Sequence, residues 1–300
     1  MLQPSARSTR PELTHPMSNR LSTYLKASEG DLPTMPAIAS QVMAAVDNPD
    51  SSIDEIRGLI EQDAAIAARI LKISNSALYG FPSEIQSLSH AISLLGTMTV
   101  RNLVLAVSMK DTYKRFGLME KLLWQHSSLA GPVASLLAGY RGIDVDPEIA
   151  FTAGLMHHIG KTALANSHRS DYERVMATVY NDARSFTEVE DEVFGFNHAE
   201  LGAAVVRQWG LPEPLIQTIE HHHTPEKLTQ LDERVARLCA LTTVTSMCLS
   251  KLGVGRSRPI EELNLAEMPA WCFLDLTEND VEPILTLTDD RVKESTSVTD

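Results

Sequence analysis

Ten histidines stand in this chain, and six of them fall where their spacing could support chemistry. His126 follows Trp124 and Gln125 in an apolar helical pattern. His157 and His158 are adjacent within Gly154-Leu155-Met156-His157-His158-Ile159-Gly160-Lys161. His198 comes one residue after Asn197, and His222 and His223 end the triplet His221-His222-His223. Neutral imidazole is a good ligand for transition metals, and helices can project such rings into a common interior. Taken singly, each ring is as well explained as a hydrogen-bonded core or surface histidine. His15, His90 and His168 are assigned that plain role, and one ring of the triplet is expected to face solvent. The spacing of the whole set carries the argument for a site.

The elements that would position these rings read as helices. Ile38, Val42 and Val46 recur at fours after Pro36, and Ser52 with Glu55 gives a capping pattern before Ile56, Leu59 and Ile60. Asp63 suits a cap for the segment carrying Ile66, Ile70 and Ile73, with Gly80 closing the pattern. Leu122, Leu123, His126 and Leu129 share one helical face, and Pro132 is expected to kink or break that helix. Asp146 and Pro147 suit a cap and first turn. Thr187 with Glu190, and Asn197 with Glu200, give further capping patterns. Tyr172–Tyr180, Pro214–His223 and Val235–Leu252 complete the helical segments. Period-two alternation is nearly absent, so the expected fold class is all-α.

Composition narrows the function. The net charge is −13 and there is no basic run, which argues against general binding to nucleic acid. Cys239, Cys248 and Cys272 match no zinc motif and read as core thiols of a reducing compartment. No apolar stretch is long enough to span a bilayer, so a cytoplasmic protein without membrane contact is expected.

Several stretches together resemble the HDOD family, the bacterial signalling relatives of the HD phosphohydrolases. They include Leu32-Pro33-Thr34-Met35-Pro36, Gln62-Asp63 and Asn75-Ser76-Ala77-Leu78-Tyr79-Gly80. Ala91 to Gly96, Arg101-Asn102-Leu103, Trp124 to Ser127, Ala153 to Lys161, Phe194 to Gly202 and Trp209 to Pro212 follow in the same order. The resemblance implies an HD-like helical domain with an N-terminal helical lobe. The expected division is a flexible tail over 1–20, an HDOD domain over 21–250 and a looser extension and tail over 251–300. Within the domain, 21–115 would form the first lobe and 116–250 the HD-like lobe.

The resemblance also assigns roles. His126 matches the first histidine of an HD centre and His157 the histidine of its His-Asp pair. His198 and either His222 or His223 match the further histidines of binuclear relatives. The Asp of the pair is replaced by His158, and the late Asp falls among Thr242, Thr243 and Thr245, with Thr243 taken as its place. Lys161 keeps the position of a lysine that assists the leaving group in one HD branch, and reads equally as a helix-end cation. Carboxylates cancel charge and bridge metal pairs, so a site without them should not run the usual phosphoester hydrolysis.

The expectation is therefore a catalytically silent regulator that needs no cofactor and acts through a protein partner or a bound signal molecule. These 300 residues contain no receiver or cyclic-dinucleotide domain, so its input is expected from outside the chain. Two rivals are a metal-dependent phosphohydrolase or phosphodiesterase acting on nucleotides, and a nucleotide receptor using the remnant pocket. A further reading has His126, His157, His158, His198 and His222 converging on a single divalent transition ion, with His126, His157, His198 and His222 as its ligands. It faces an obstacle, because consecutive residues on one helix diverge by about a hundred degrees. His157 and His158 are thus not expected to face one cavity.

Overall fold

The computed structural model describes residues 19–28, 30–76 and 79–299, and side chains as far as Ser295. Most of the segment expected as an N-terminal tail, residues 1–18, lies outside the described residues. Among those described, the chain is helical and has no strand. Helices α1 (Asn19–Ala27), α2 (Ala37–Asp47), α3 (Ile53–Ile60), α4 (Ala64–Ser74), α5 (Leu88–Leu95) and α6 (Thr97–Met109) form the first group. Asp63 caps α4 by accepting from the amides of Ala65 and Ile66. Asn75 then clips the following loop to the helix end, its amide donating to the carbonyls of Leu71 and Ile85 while its Oδ1 accepts from Ile85 N at 2.7 Å. The Asn75 motif is thus architectural.

The second group begins with α7 (Leu118–Ala138), α8 (Pro147–Met156), α9 (Ile159–Ser167), α10 (Arg169–Asp182) and α11 (Phe186–Phe194). It continues with α12 (His198–Gln208), α13 (Glu213–His221) and α14 (Glu233–Lys251). Asn102 on α6 ties the groups together. Its amide donates to Glu148 Oε2 on α8 at 2.7 Å and to the Glu148 carbonyl, and its Oδ1 accepts from Thr152. Arg101 pairs with Asp47 instead, holding α6 to α2.

Three expectations need correction. Pro132 does not break its helix into two elements: α7 is one element through it. Leu129, Val133 and Leu137 are fully buried along the same helix, and their burial outweighs the lost amide donor. The cap of α11 is Ser185 with Glu188, two residues before the expected Thr187 and Glu190. The carboxylate of Glu190 is thereby freed for another use.

The third correction concerns the C-terminus. The residues expected to be loose form α15 (Pro269–Phe273) and α16 (Val281–Thr299), and α16 packs along α7. Val254, Leu265, Ala270, Trp271, Leu274 and Ile284 are buried in a core shared with Leu129 to Ala138 of α7 and the apolar side of α14. A second core runs from Leu21 to Ile219 and takes in residues of the expected first lobe and of α9 to α13. The apolar interior is therefore not divided at residue 115. Trp271 is completely buried and donates its indole N–H to the Thr277 carbonyl. We expect Trp271→Ala to cost about 3–5 kcal/mol in chemical denaturation. A loss below about 1 kcal/mol would mean that the extension is peripheral to folding.

Candidate functional site

The six histidines meet between the two cores. Convergence of His157 and His158 rests on a break in the chain that an unbroken helix would forbid. Residue His157 ends α8 as its C-cap and His158 precedes α9, so the helix axis is interrupted between them. Their rings lie 3.8 Å apart, centre to centre, and His158 also lies 4.9 Å from His126, 5.0 Å from His198 and 5.6 Å from His222. Close backbone approach secures the arrangement. A Cβ on Gly160 would come within 2.0 Å of the His198 carbonyl, so only glycine lets the start of α9 sit against the start of α12.

Hydrogen bonds orient the rings. The Nδ1 of His126, His157 and His222 faces the carbonyls of Val254 (3.2 Å), Gly154 (2.6 Å) and Ile219 (2.7 Å). A carbonyl can only accept, so each Nδ1 carries the proton and each neutral ring presents an Nε2 lone pair to the interior. His198 Nδ1 meets Glu190 Oε2 at 2.6 Å, and its Nε2 meets His223 Nε2 at 3.1 Å. Glu190 is buried, accepts also from His198 N, and is joined by the Tyr172 hydroxyl at 3.1 Å. Carboxylate–imidazole and carbonyl–imidazole pairs of this kind support metal-binding histidines elsewhere.

On α14, Ser246 faces the rings. Its Oγ lies 3.1 Å from His126 Nε2 and 3.2 Å from His157 Nε2. One hydroxyl proton can serve only one of these lone pairs. Thr243, taken from the sequence as the place of the late acid, turns its hydroxyl to the carbonyls of His222 and Cys239. Sequence reasoning missed Ser246, which lies just under one helical turn beyond Thr243, and it missed Glu190. The signal for Glu190 was present: an acidic residue amid a buried pattern, beside a cap that Ser185 and Glu188 already explain. His221 stays half-buried outside the cluster with Thr224, and His168 packs against Tyr24 and Phe194.

Burial dominates the electrostatics. Desolvation pulls His126 and His222 from 6.5 down to about 3 and holds His157, His158, His198 and His223 well below 6.5, with neighbouring imidazoles and Lys161 adding to it. Lys161 is buried, not a surface cation, and burial lowers it to about 7 against the pull of Glu190. Burial raises Glu190 to about 7 while Lys161, the His198 amide and Tyr172 resist.

The donors fit a borderline transition ion. His158, His198, His222 and His223 each offer a nitrogen within 4.8 Å of the others, and His126, His157 and His158 form a second such set. The buried Nε2 atoms of His158 and His222 have no hydrogen-bond partner among the described residues. These sets differ from the four ligands expected from the sequence: His158 belongs to both, and His223 joins the first.

The neutral cluster has a consequence for stability. Well above pH 6.5 neither folded nor unfolded rings are charged, and the rings' contribution to stability is complete. Below it, unfolded rings take up protons that folded rings refuse, at up to about 1.4 kcal/mol per pH unit for each ring. Glu190 opposes this between pH 7 and 4.5, as one group against six. The melting temperature should fall steeply from pH 6.5 to 5, with uptake of several protons on unfolding in calorimetry. A level melting temperature across that window would show that the rings are not held neutral.

Comparison with known proteins agrees with this architecture. A structure of an HDOD domain protein with unknown function from Geobacter sulfurreducens superposes with a TM-score of 0.77 at 25% identity, covering 95% of this chain and 98% of that one. An uncharacterized protein of Treponema pallidum (strain Nichols) is 28% identical over 224 residues, 73% of this chain and 44% of that protein. Ribonuclease Y of Thermus thermophilus is 29% identical over 107 residues, 36% of this chain and 14% of that protein. The chain thus spans less than half the length of the curated relatives it matches. The family model for the HDOD domain matches residues 32–225, and the chain belongs to the HDOD family.

Proposed function

We propose that this chain is a regulatory HDOD protein that does not hydrolyse phosphoesters at its histidine cluster and acts through a protein partner or a bound signal molecule. One observation carries the reading. Every atom in the two convergent donor sets is an imidazole nitrogen, and the place facing His126 and His157 on α14 is held by the Ser246 hydroxyl. A metal pair in a hydrolase needs anionic oxygen to cancel charge and bridge the ions. Glu190, the buried carboxylate nearest the rings, is engaged by His198 and Tyr172 and supports a ring instead of bridging ions.

A single ion is a different matter. His158, His198, His222 and His223 would hold one late first-row transition ion, and there it would supply Lewis acidity and structural cross-linking. Four imidazoles close a tetrahedral shell, whereas catalytic sites keep a position open for water. The regulatory reading needs no resident metal.

Two measurements test it. Purified without an affinity tag, the protein should release no phosphate from phosphodiesters or nucleotides with magnesium, manganese or zinc. Metal-dependent turnover that disappears in His157→Ala would sink the reading. In titration of metal-free protein, zinc or nickel should bind at no more than one equivalent and manganese at least about a hundredfold more weakly, following the order of imidazole affinities. Two manganese equivalents bound tightly would restore the hydrolase rival.

A further inference from the structure

Beside the cluster lies a cavity of about 720 Å³, walled by α7, α9, the α10–α11 junction, α14 and the segment 255–262. Its cations stand out in a chain of net charge −13: Lys161, Arg184, Arg256 and Arg258 line it, against Glu261 and Glu262. Two of the four are already occupied. Arg184 forms a two-point pair with Glu192, and Arg258 donates to the Tyr180 carbonyl.

Lys161 and Arg256 are not. Lys161 is only 4% exposed, and among the described residues no hydrogen bond or ion pair reaches its Nζ; the Phe186 ring lies 3.7 Å away. Glu190, engaged by His198 and Tyr172, attracts Lys161 only without direct contact; a buried ammonium with no hydrogen-bonded anion costs several kcal/mol by order of magnitude, and a ring face returns only about 2. Arg256 is half-buried over Tyr180 at 5.2 Å, has no carboxylate partner among the described residues, and its buried Nε is unbonded. His158, with its unbonded Nε2, lines the same cavity.

The segment that brings Arg256 in is built for this position. Gly255 has φ +69°, and a Cβ there would meet His126 Cβ at 2.5 Å and the Leu122 carbonyl at 2.7 Å. Only glycine lets the turn press against α7, where the Val254 carbonyl receives His126 Nδ1 and the next residue enters the cavity. This turn lies beyond residues 32–225, the part matched by the family.

We infer that the cavity is a receptor site for a phosphate-bearing small molecule of nucleotide size, with Lys161 and Arg256 as its two anion contacts and the C-terminal segment completing it. The inference deepens the regulatory reading and rests on it for the statement that the bound molecule leaves unchanged. The volume falls within the range of sites for small organic ligands, roughly 300–1,000 Å³. Lys161 supplies a point charge deep in the site, and Arg256 a planar fork nearer the entrance that suits phosphate oxygens.

The test uses the full chain after treatment with a chelator. Inorganic pyrophosphate and GDP are titrated by calorimetry, with citrate as a non-phosphate anion, and phosphate release is followed in the same samples. Pyrophosphate or GDP should bind more tightly than citrate and raise the melting temperature. Arg256→Ala and Lys161→Met should each weaken binding at least about tenfold, and Arg184→Ala less than about threefold. Arg256 is only half-buried, so its variant keeps the test valid if Lys161→Met fails to fold. Absence of binding at millimolar pyrophosphate and GDP, or binding unchanged in both variants, overturns the inference while leaving the regulatory reading in place. Binding that depends on Lys161 and Arg256 but ends in phosphate release supports the site and overturns the non-hydrolytic reading.

Discussion

The structure depends on keeping six imidazoles uncharged in one place, five of them buried and His223 partly so. A neutral ring can be buried cheaply only if its N–H has an acceptor. Gly154, Ile219 and Val254 supply carbonyls and Glu190 supplies a carboxylate. These acceptors come from α8, α13, the C-terminal segment and α11, so the cluster fixes how four separate parts of the chain meet. The same bonds point the remaining lone pairs inward. Orientation of the rings and assembly of the fold are thus one constraint.

Much of this was legible from residue types. Asp63, Asp146 and Asn197 are caps because short polar side chains satisfy free amides, a local matter that the sequence states directly. The histidines that converge are the ones whose spacing resembled an HD centre. Tertiary effects were not legible. Prolines such as Pro269 and Pro283 argue against helix from sequence, yet both sit in the first turn of a helix, where the missing donor costs nothing. Apolar residues at 271, 274, 276 and 284 follow no single period because they belong to two helices and the turn between them. His157 and His158 looked incompatible with one cavity only on the assumption that their helix continued. Ser246 was hidden for a similar reason: the rotation of α14 relative to the rings is decided by its packing on α7 and α13.

Charge gives the site its asymmetry. The rings are held neutral, whereas Lys161 and Glu190 lie close enough for each to shift the other, and burial brings both to about 7. Burial favours the uncharged form of each, while their mutual attraction favours the charged pair. A proton gained or lost at Glu190 changes the field at His198, because Glu190 holds the ring's Nδ1.

The cavity is joined to the C-terminal helices through one ring. His126 is the ring that touches the C-terminal segment, through Val254 on one side and the Gly255 contact on the other. Val254 belongs to the same apolar core as Trp271 and Ile284, and Ile284 lies on α16, which packs along α7. A molecule drawing Arg256 inward would pull on the turn that supplies His126 with its acceptor, and would do so against a tightly packed core. Close-packed interiors shift between discrete arrangements more readily than they stretch. A molecule held at the proposed site by Arg256 would in this way bear on the seating of α15 and α16, because the turn, the His126 ring and the apolar core they share are in direct contact.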